Sequence, residues 1–228
     1  MPRSRVHRNG AALAAAPSAG LRGRLRSRPG LSRAFSRLLI AAGLLTLAWT
    51  FAVSHWQDPL TALYTRHAQH ELGRQLQSRT AGGGVLAARR YRLASHDGEA
   101  MGRITIPRIG LSVVLVDGTS EADLKKGPGI YAGDYLPGEG RLVYIAGHRT
   151  TYSAPFSNLP ELRIGDRIRI QMPYGTFTYV VTGHRIVTAD DIAVLRSHRR
   201  EQLILQTCHP RFSATHRYLV YAKPAHAS

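Results

Sequence analysis

The sequence predicts a mostly β domain, a closed barrel or a sandwich with short helices, preceded by a transmembrane helix and a helical stalk. Three observations carry that reading. Leu38 to Trp56 runs nineteen residues without a charge. From Met101 onward the chain breaks into short runs rich in Val, Ile, Leu, Tyr and Thr, separated by turn signals. Before the apolar segment lies a tail with nine arginines (Arg3, Arg5, Arg8, Arg22, Arg24, Arg26, Arg28, Arg33, Arg37) and no acid.

The chain has 228 residues and a net charge of +17. From residue 57 onward there are 22 Lys and Arg against 14 Asp and Glu, a difference of +8, so the tail supplies about half of the excess. A basic tail of this kind binds nucleic acid or an anionic membrane surface. The apolar segment after it decides for the membrane. At 1.5 Å per residue, nineteen helical residues just cross a hydrocarbon core of about 30 Å. Trp49, Phe51 and Trp56 lie toward its far end, where aromatic rings favour the interface. Arg33 and Arg37 flank its near end, and the first acid, Asp58, follows it. The positive-inside bias places the N-terminus in the cytoplasm and the rest outside. A cleaved signal peptide is the rival reading, but Ala52-Val53-Ser54 is a poor cleavage site and the basic region is too long for one. Residues 1–37 are then a disordered cytoplasmic tail, its Ala, Gly, Ser and Pro offering no core, and 38–56 an uncleaved anchor. Nucleic-acid binding is not needed.

Residues 57–100 read as a stalk helix and a linker. Leu60, Leu63, Tyr64, His67, Leu72 and Leu76 recur at three- and four-residue steps. Gly82, Gly83 and Gly84 break the helix as a hinge, and 85–100 leads into the folded domain. That domain, 101–224, holds strand-like runs at Arg103–Ile109, Leu111–Val116, Arg141–Ala146, Arg167–Met172, Thr176–Thr182, Gln202–Gln206 and Tyr218–Tyr221. Asp117-Gly118, Pro137-Gly138, Gly165-Asp166 and Pro173-Tyr174-Gly175 supply turns. Short helices are expected near Ser120–Lys126 and Ala189–Leu195, the second capped by Asp190-Asp191. Residues 225–228 form a C-terminal tail. Seven or eight short strands in about 120 residues point to closure or a sandwich.

A single cysteine excludes an internal disulfide and a multi-cysteine zinc site. A lone thiol is either a small core hydrophobe or a nucleophile. Cys208 follows the run Leu203-Ile204-Leu205-Gln206-Thr207 and precedes His209-Pro210, so a rigid element carries it to a rim. A nucleophilic thiol needs a proton partner and a positive field. His148 ends the run Leu142-Val143-Tyr144-Ile145-Ala146-Gly147 in the same manner. Arg217 opens the last strand nine residues after Cys208, as an adjacent hairpin would arrange it. An arginine stabilises an oxyanion without giving up a proton. No acidic cluster resembles a calcium loop, and a site of Cys208, His209 and His148 would need adjacent strand residues on one face. No metal or other cofactor is expected. His184 and His216 are expected to face solvent.

Three elements together resemble the sortase family: Ala146-Gly147-His148-Arg149, Leu205-Gln206-Thr207-Cys208-His209-Pro210 and Arg217-Tyr218-Leu219-Val220. The segment Ala146 to Phe156 is most similar to the class E sortases of high-GC Gram-positive bacteria. The resemblance covers residues 101–224 and implies an eight-stranded barrel outside the membrane. It implies that Cys208 attacks the Thr carbonyl of a Leu-Ala-x-Thr-Gly or Leu-Pro-x-Thr-Gly sorting signal at the C-terminus of a secreted protein. The thioester then passes to an amine of a peptidoglycan precursor. His148 is the acid and base, and Arg217 holds the oxyanion. Thr207 and Tyr152 are expected to contact substrate, Tyr152 in connection with the Leu-Ala preference. Two other readings remain: a cysteine peptidase with water as acceptor, and a non-catalytic module that binds wall polymer.

Overall fold

The computed structural model describes residues 29–55, 59–79, 85–131, 133, 135–196 and 200–225. Residues 1–28, the Gly82–Gly84 hinge, Trp56 and residues 226–228 lie outside them. The chain divides into two units, residues 1–47 and 48–228.

Helix α1, Pro29–His55, contains the expected apolar segment. Its stretch Arg33–Phe51 is 19 residues long with a mean hydropathy of 1.6, and none of it is buried inside the protein. That length and composition suffice to span a bilayer. Residues 29–37, expected in the disordered tail, already belong to this helix.

The second unit takes in the last residues of α1 and then α2, Pro59–Ser78, the expected stalk helix. It lies against the barrel. Leu72 is buried with Ala100, Val114 and Val116. Residues 85–100, expected as a linker, instead begin with a helix, α3, Val85–Ala94. Ala87 and Ala88 enter the main core, and the Tyr91 hydroxyl donates to the carbonyls of Ala100 and Met101, both at 3.1 Å. Two adjacent alanines give no sequence period, so the packing face of α3 is invisible in the pattern.

Eight strands close into a barrel in the order β1-β2-β3-β4-β7-β8-β6-β5. They are β1 Ala100–Ile106, β2 Leu111–Asp117, β3 Gly129–Ile130, β4 Leu142–Ala146, β5 Arg167–Met172, β6 Gly175–Thr188, β7 Gln202–His209 and β8 His216–Pro224. β5 pairs back onto β1, which leaves no open edge. Alternation decides the faces. In β5, Ile168, Ile170 and Met172 are buried while Arg167, Arg169 and Gln171 are exposed. β4 reads Leu-Val-Tyr-Ile-Ala and is buried at every position, because both of its faces are covered. Val143 and Ile145 face the barrel interior with Leu203, Leu205 and Val220. Leu142, Tyr144 and Ala146 face outward into a second cluster with Ile204, Leu219 and Val187.

The outer cluster is roofed by α4, Glu121–Leu124, and by a 3-10 turn, Ile192–Leu195. Ser120 and Asp123 form a reciprocal capping box on α4. Asp191 caps the 3-10 turn, its Oδ1 accepting from the Ala193 N–H at 3.1 Å. The turn is tighter than the helix expected there. β3 is a two-residue strand that the pattern does not signal. It sits where Gly129 passes so close to Gly118 that a Cβ would lie 1.9 Å from the Gly118 carbonyl oxygen.

Gly129→Ala therefore forces backbone apart in the barrel wall and should destabilise the protein by about 1–3 kcal/mol. Gly183→Ala, where nothing lies within 4 Å of the added methyl, should leave stability nearly unchanged. Thermal unfolding followed by circular dichroism separates the two variants, and equal melting temperatures would contradict the close approach.

Candidate active site

β4 and β7 run parallel, with Ala146 opposite Gln206. Two residues beyond that pair lie His148 and Cys208. β7 and β8 run antiparallel, with Cys208 directly opposite Arg217. Two strand pairings thus bring together three residues that are distant in sequence. Ile204, Gln206 and Cys208 share one face of β7, and Arg217 shares the face of Leu219 on β8. This is the outward face, above the second core cluster.

A cavity of about 330 Å³ opens there, and His148, Cys208 and Arg217 all line it. Its apolar wall comes from Tyr144, Ala146, Val187, Val194 and Leu195. Gln206 lies on its floor, paired with the Tyr144 hydroxyl at 3.2 Å. The shape is a half-apolar groove ending at a thiol, an imidazole and a guanidinium. That suits an extended peptide with apolar side chains and a carbonyl delivered to the thiol.

His148 is largely withdrawn from water, and its Nε2 is buried with no hydrogen-bond partner among the described residues. Burial holds its pKa below the ordinary imidazole value; Glu121 opposes the shift and Lys125 adds to it. Neutral imidazole is the favoured form at neutral pH. An unpaired buried nitrogen costs about 1–3 kcal/mol, which is tolerated where a reacting group is to be met.

Arg217 Nη1 donates to the carbonyls of Ala214 at 2.8 Å and His216 at 3.1 Å, which ties it to the β7–β8 loop. A second guanidinium holds the backbone of Cys208. Arg149 Nη1 donates to the Cys208 carbonyl at 3.1 Å and lies 3.0 Å from His209 Nδ1. Its Nε is buried without a partner among the described residues. Sequence reasoning gave Arg149 no role; its place beside His148, on the strand end that meets β7, was the available signal. His209 therefore contacts Arg149 at the rim, while His184 and His216 are exposed, as expected.

The two residues expected to contact substrate are placed differently. Thr207 is fully buried and shares the inward face of Leu203 and Leu205. Its hydroxyl donates to the Gly147 carbonyl at 2.9 Å and, with the Gly147 N–H donating to Gln206 at 3.0 Å, clamps the end of β4 to β7. The alternation of β7 itself forbids Thr207 from sharing the groove face with Cys208. Tyr152 does not line the groove; its ring lies on His148, with centroids 5.1 Å apart at 35°. Gly147 completes the clamp, since a Cβ there would meet the buried Phe156 ring at 2.6 Å. Tyr152, Ser153 and Ala154 all have left-handed backbones, with φ of 52°, 60° and 40°. None is glycine, so each costs about 1–2 kcal/mol.

A family profile described as the sortase domain matches residues 104–225. Sortase D of Bacillus subtilis is 40% identical over 131 residues, covering 55% of this chain and 64% of its own length. Sortase SrtE1 of Streptomyces coelicolor is 26% identical over 209 residues, 84% of this chain and 56% of its own. The chain thus spans less than two thirds of the length of the curated relatives it matches. Among solved structures, sortase E of Streptomyces avermitilis gives a TM-score of 0.51 at 32% identity, covering 57% of this chain and 90% of that one. The Sortase D5 transpeptidase of Clostridium perfringens gives 0.59 at 23% identity, covering 70% and 97%, which is a likeness of fold.

Because burial disfavours the imidazolium, His148 should titrate below about 6.5 in the folded protein. The unfolded chain then binds the proton more readily, so this residue's contribution to stability is complete above that value and declines as pH falls through it. Nuclear magnetic resonance titration of the His148 ring checks the direction. A midpoint above the ordinary value would contradict the burial argument.

Proposed function

The chain belongs to the sortase family, and on that premise we propose that it is a membrane-anchored cysteine transpeptidase with Cys208 as nucleophile, His148 as acid and base, and Arg217 as oxyanion partner. The observation that carries this reading is the convergence of those three side chains on one groove through the β4–β7 and β7–β8 registers. α1 serves as the anchor, with the basic N-terminus in the cytoplasm and the barrel domain outside.

The groove would take an extended sorting signal, its apolar residues against Val187, Val194 and Leu195. The Cys208 sulfur attacks the Thr carbonyl carbon and its proton passes to His148. The tetrahedral oxyanion forms beside Arg217, whose two loop bonds both run through Nη1; a guanidinium carries five N–H donors. Collapse breaks the Thr–Gly bond, and His148 delivers its proton to the departing glycine amine. An incoming amine of a cell-wall precursor then attacks the thioester, gives its proton to His148, and the Cys208 thiol is restored. Neutral resting imidazole suits this order, since it begins by accepting a proton. Water in place of the amine would make the same site a peptidase. The segment Ala146–Phe156 favours Leu-Ala-x-Thr-Gly over Leu-Pro-x-Thr-Gly by its likeness to class E.

The full chain in detergent micelles, given each peptide with and without an added amine, tests the proposal. A thioester on Cys208 should be visible by mass spectrometry, be released as an amide when amine is present, and be abolished in Cys208→Ala. Release only to water would make the protein a peptidase. The absence of any Cys208 adduct from folded protein would favour a non-catalytic wall-binding module.

A further inference from the structure

Contacts between α2 and the barrel converge on one loop and its neighbour. Thr65 Oγ1 donates to the Lys125 carbonyl at 2.9 Å. The Gln69 amide donates to the carbonyls of Val114 at 3.0 Å and Lys126 at 2.9 Å. Nearer the start of α2, Thr61 Oγ1 accepts from the Tyr152 N–H at 2.9 Å. Ser153 Oγ donates to the Ala62 carbonyl at 3.4 Å. Tyr64 meets the Tyr152 ring edge-on, centroids 6.4 Å apart. Lys125 Nζ lies over the same ring at 5.8 Å.

Tyr152 and Ser153 are two of the three left-handed residues, in a segment without glycine or asparagine to favour that conformation. Such a run persists only where its surroundings over-determine it. The Ala154 and Phe156 N–H groups close the turn locally on the carbonyls of Thr151 and His148, and the hydroxyl of Thr61, the carbonyl of Ala62 and the ring of Tyr64 hold Tyr152 and Ser153 from α2. The remaining face of Tyr152 lies on His148.

We propose that α2 is a positioning element of the active site: by holding the Tyr152–Ala154 turn through Thr61 and Ala62, it seats the Tyr152 ring against His148 and fixes the plane of the imidazole. The role of His148 in this inference rests on the transpeptidase reading. Tyr152 acts through His148, and the helix that follows α1 in sequence sets the acid–base group. The charged and titratable groups around His148 are Glu121 of α4, Lys125 just beyond it, Tyr152 of its own loop, and Tyr131, Tyr144, Asp191, Cys208 and Arg217 along the cavity.

Thr61→Val keeps shape and removes the acceptor of the Tyr152 N–H; Thr61→Ser restores it. In the full chain in micelles, with a fluorogenic Leu-Ala-x-Thr-Gly peptide and an added amine, Thr61→Val should lower kcat about tenfold through misplacement of the imidazole. KM should stay within about twofold, as expected when ground-state binding is untouched. The pH limb belonging to His148 should move up toward the ordinary imidazole value as water reaches the ring. Thr61→Ser should recover both. Unchanged kcat and unchanged limb in Thr61→Val, with faster amide exchange at Tyr152, would overturn the proposal. So would a loss of kcat that follows the melting temperature, leaves the limb in place and is not recovered by serine. The His148 titration read by nuclear magnetic resonance needs no turnover. Should the wild type form no Cys208 adduct, the transpeptidase reading fails, and the ring's response to Thr61→Val still decides for or against the α2 contact.

Discussion

The molecule depends on the double pairing of β7. This strand is parallel to β4 on one side and antiparallel to β8 on the other. Parallel pairing puts the C-terminal ends of β4 and β7 together, and antiparallel pairing adds the N-terminal end of β8. A shift of one residue in either register would turn Cys208 or its partner to the other side of the sheet. The register is held by apolar side chains on both faces: Val143, Ile145, Leu203 and Leu205 within the barrel, Leu142, Tyr144, Ile204 and Leu219 outside it. Thr207 and Gly147 then lock the last step before the chains diverge. The candidate site sits where β4 and β7 end and β8 begins.

Charge around the thiol is arranged as bracing as well as field. Arg149 holds the Cys208 carbonyl and the His209 ring from the β4 side. Arg217 holds the Ala214 and His216 carbonyls from the β8 side. Each guanidinium fixes the backbone on one flank of β7 while keeping positive charge close to Cys208. His148 contributes no net charge in its favoured form, because burial outweighs the pull of Glu121. The site therefore owes its positive field to groups that do not titrate in the working range.

Much of this was legible in the chain. The alternation in β5 and the continuous apolar run of β4 identify half-buried and fully buried strands directly. The nine-residue step from Cys208 to Arg217 encodes their pairing. Other features carry weaker signals. β6, β7 and β8 run beyond their apolar stretches, because the ladder hydrogen bonds continue through the polar residues at their ends whether those are exposed, as at His184 and His216, or buried, as at Thr207. β3 is specified by close approach at Gly129, which has no period. The inward direction of Thr207 follows from the parity of Leu203 and Leu205, a signal present in the sequence and outweighed by its nearness to Cys208. The place of Tyr152 could not be read from any pattern. It depends on α2, some ninety residues earlier, and on backbone angles that its own side chain disfavours.

The Gln69 side chain has a further consequence. Its amide both donates to and accepts from Val114, with Val114 N donating to Oε1 at 2.7 Å. It thus satisfies backbone groups on β2 that short β3, paired only at Val116 and Asp117, leaves uncovered. The sortase profile begins at residue 104, but this gap in the wall is closed from residue 69, and the core is entered at residues 87 and 88. The segment matched by the profile is therefore shorter than the segment that packs together. A chain trimmed to the limits of the profile would carry an unpaired strand margin beside bare apolar surface, the usual starting point for edge-to-edge association.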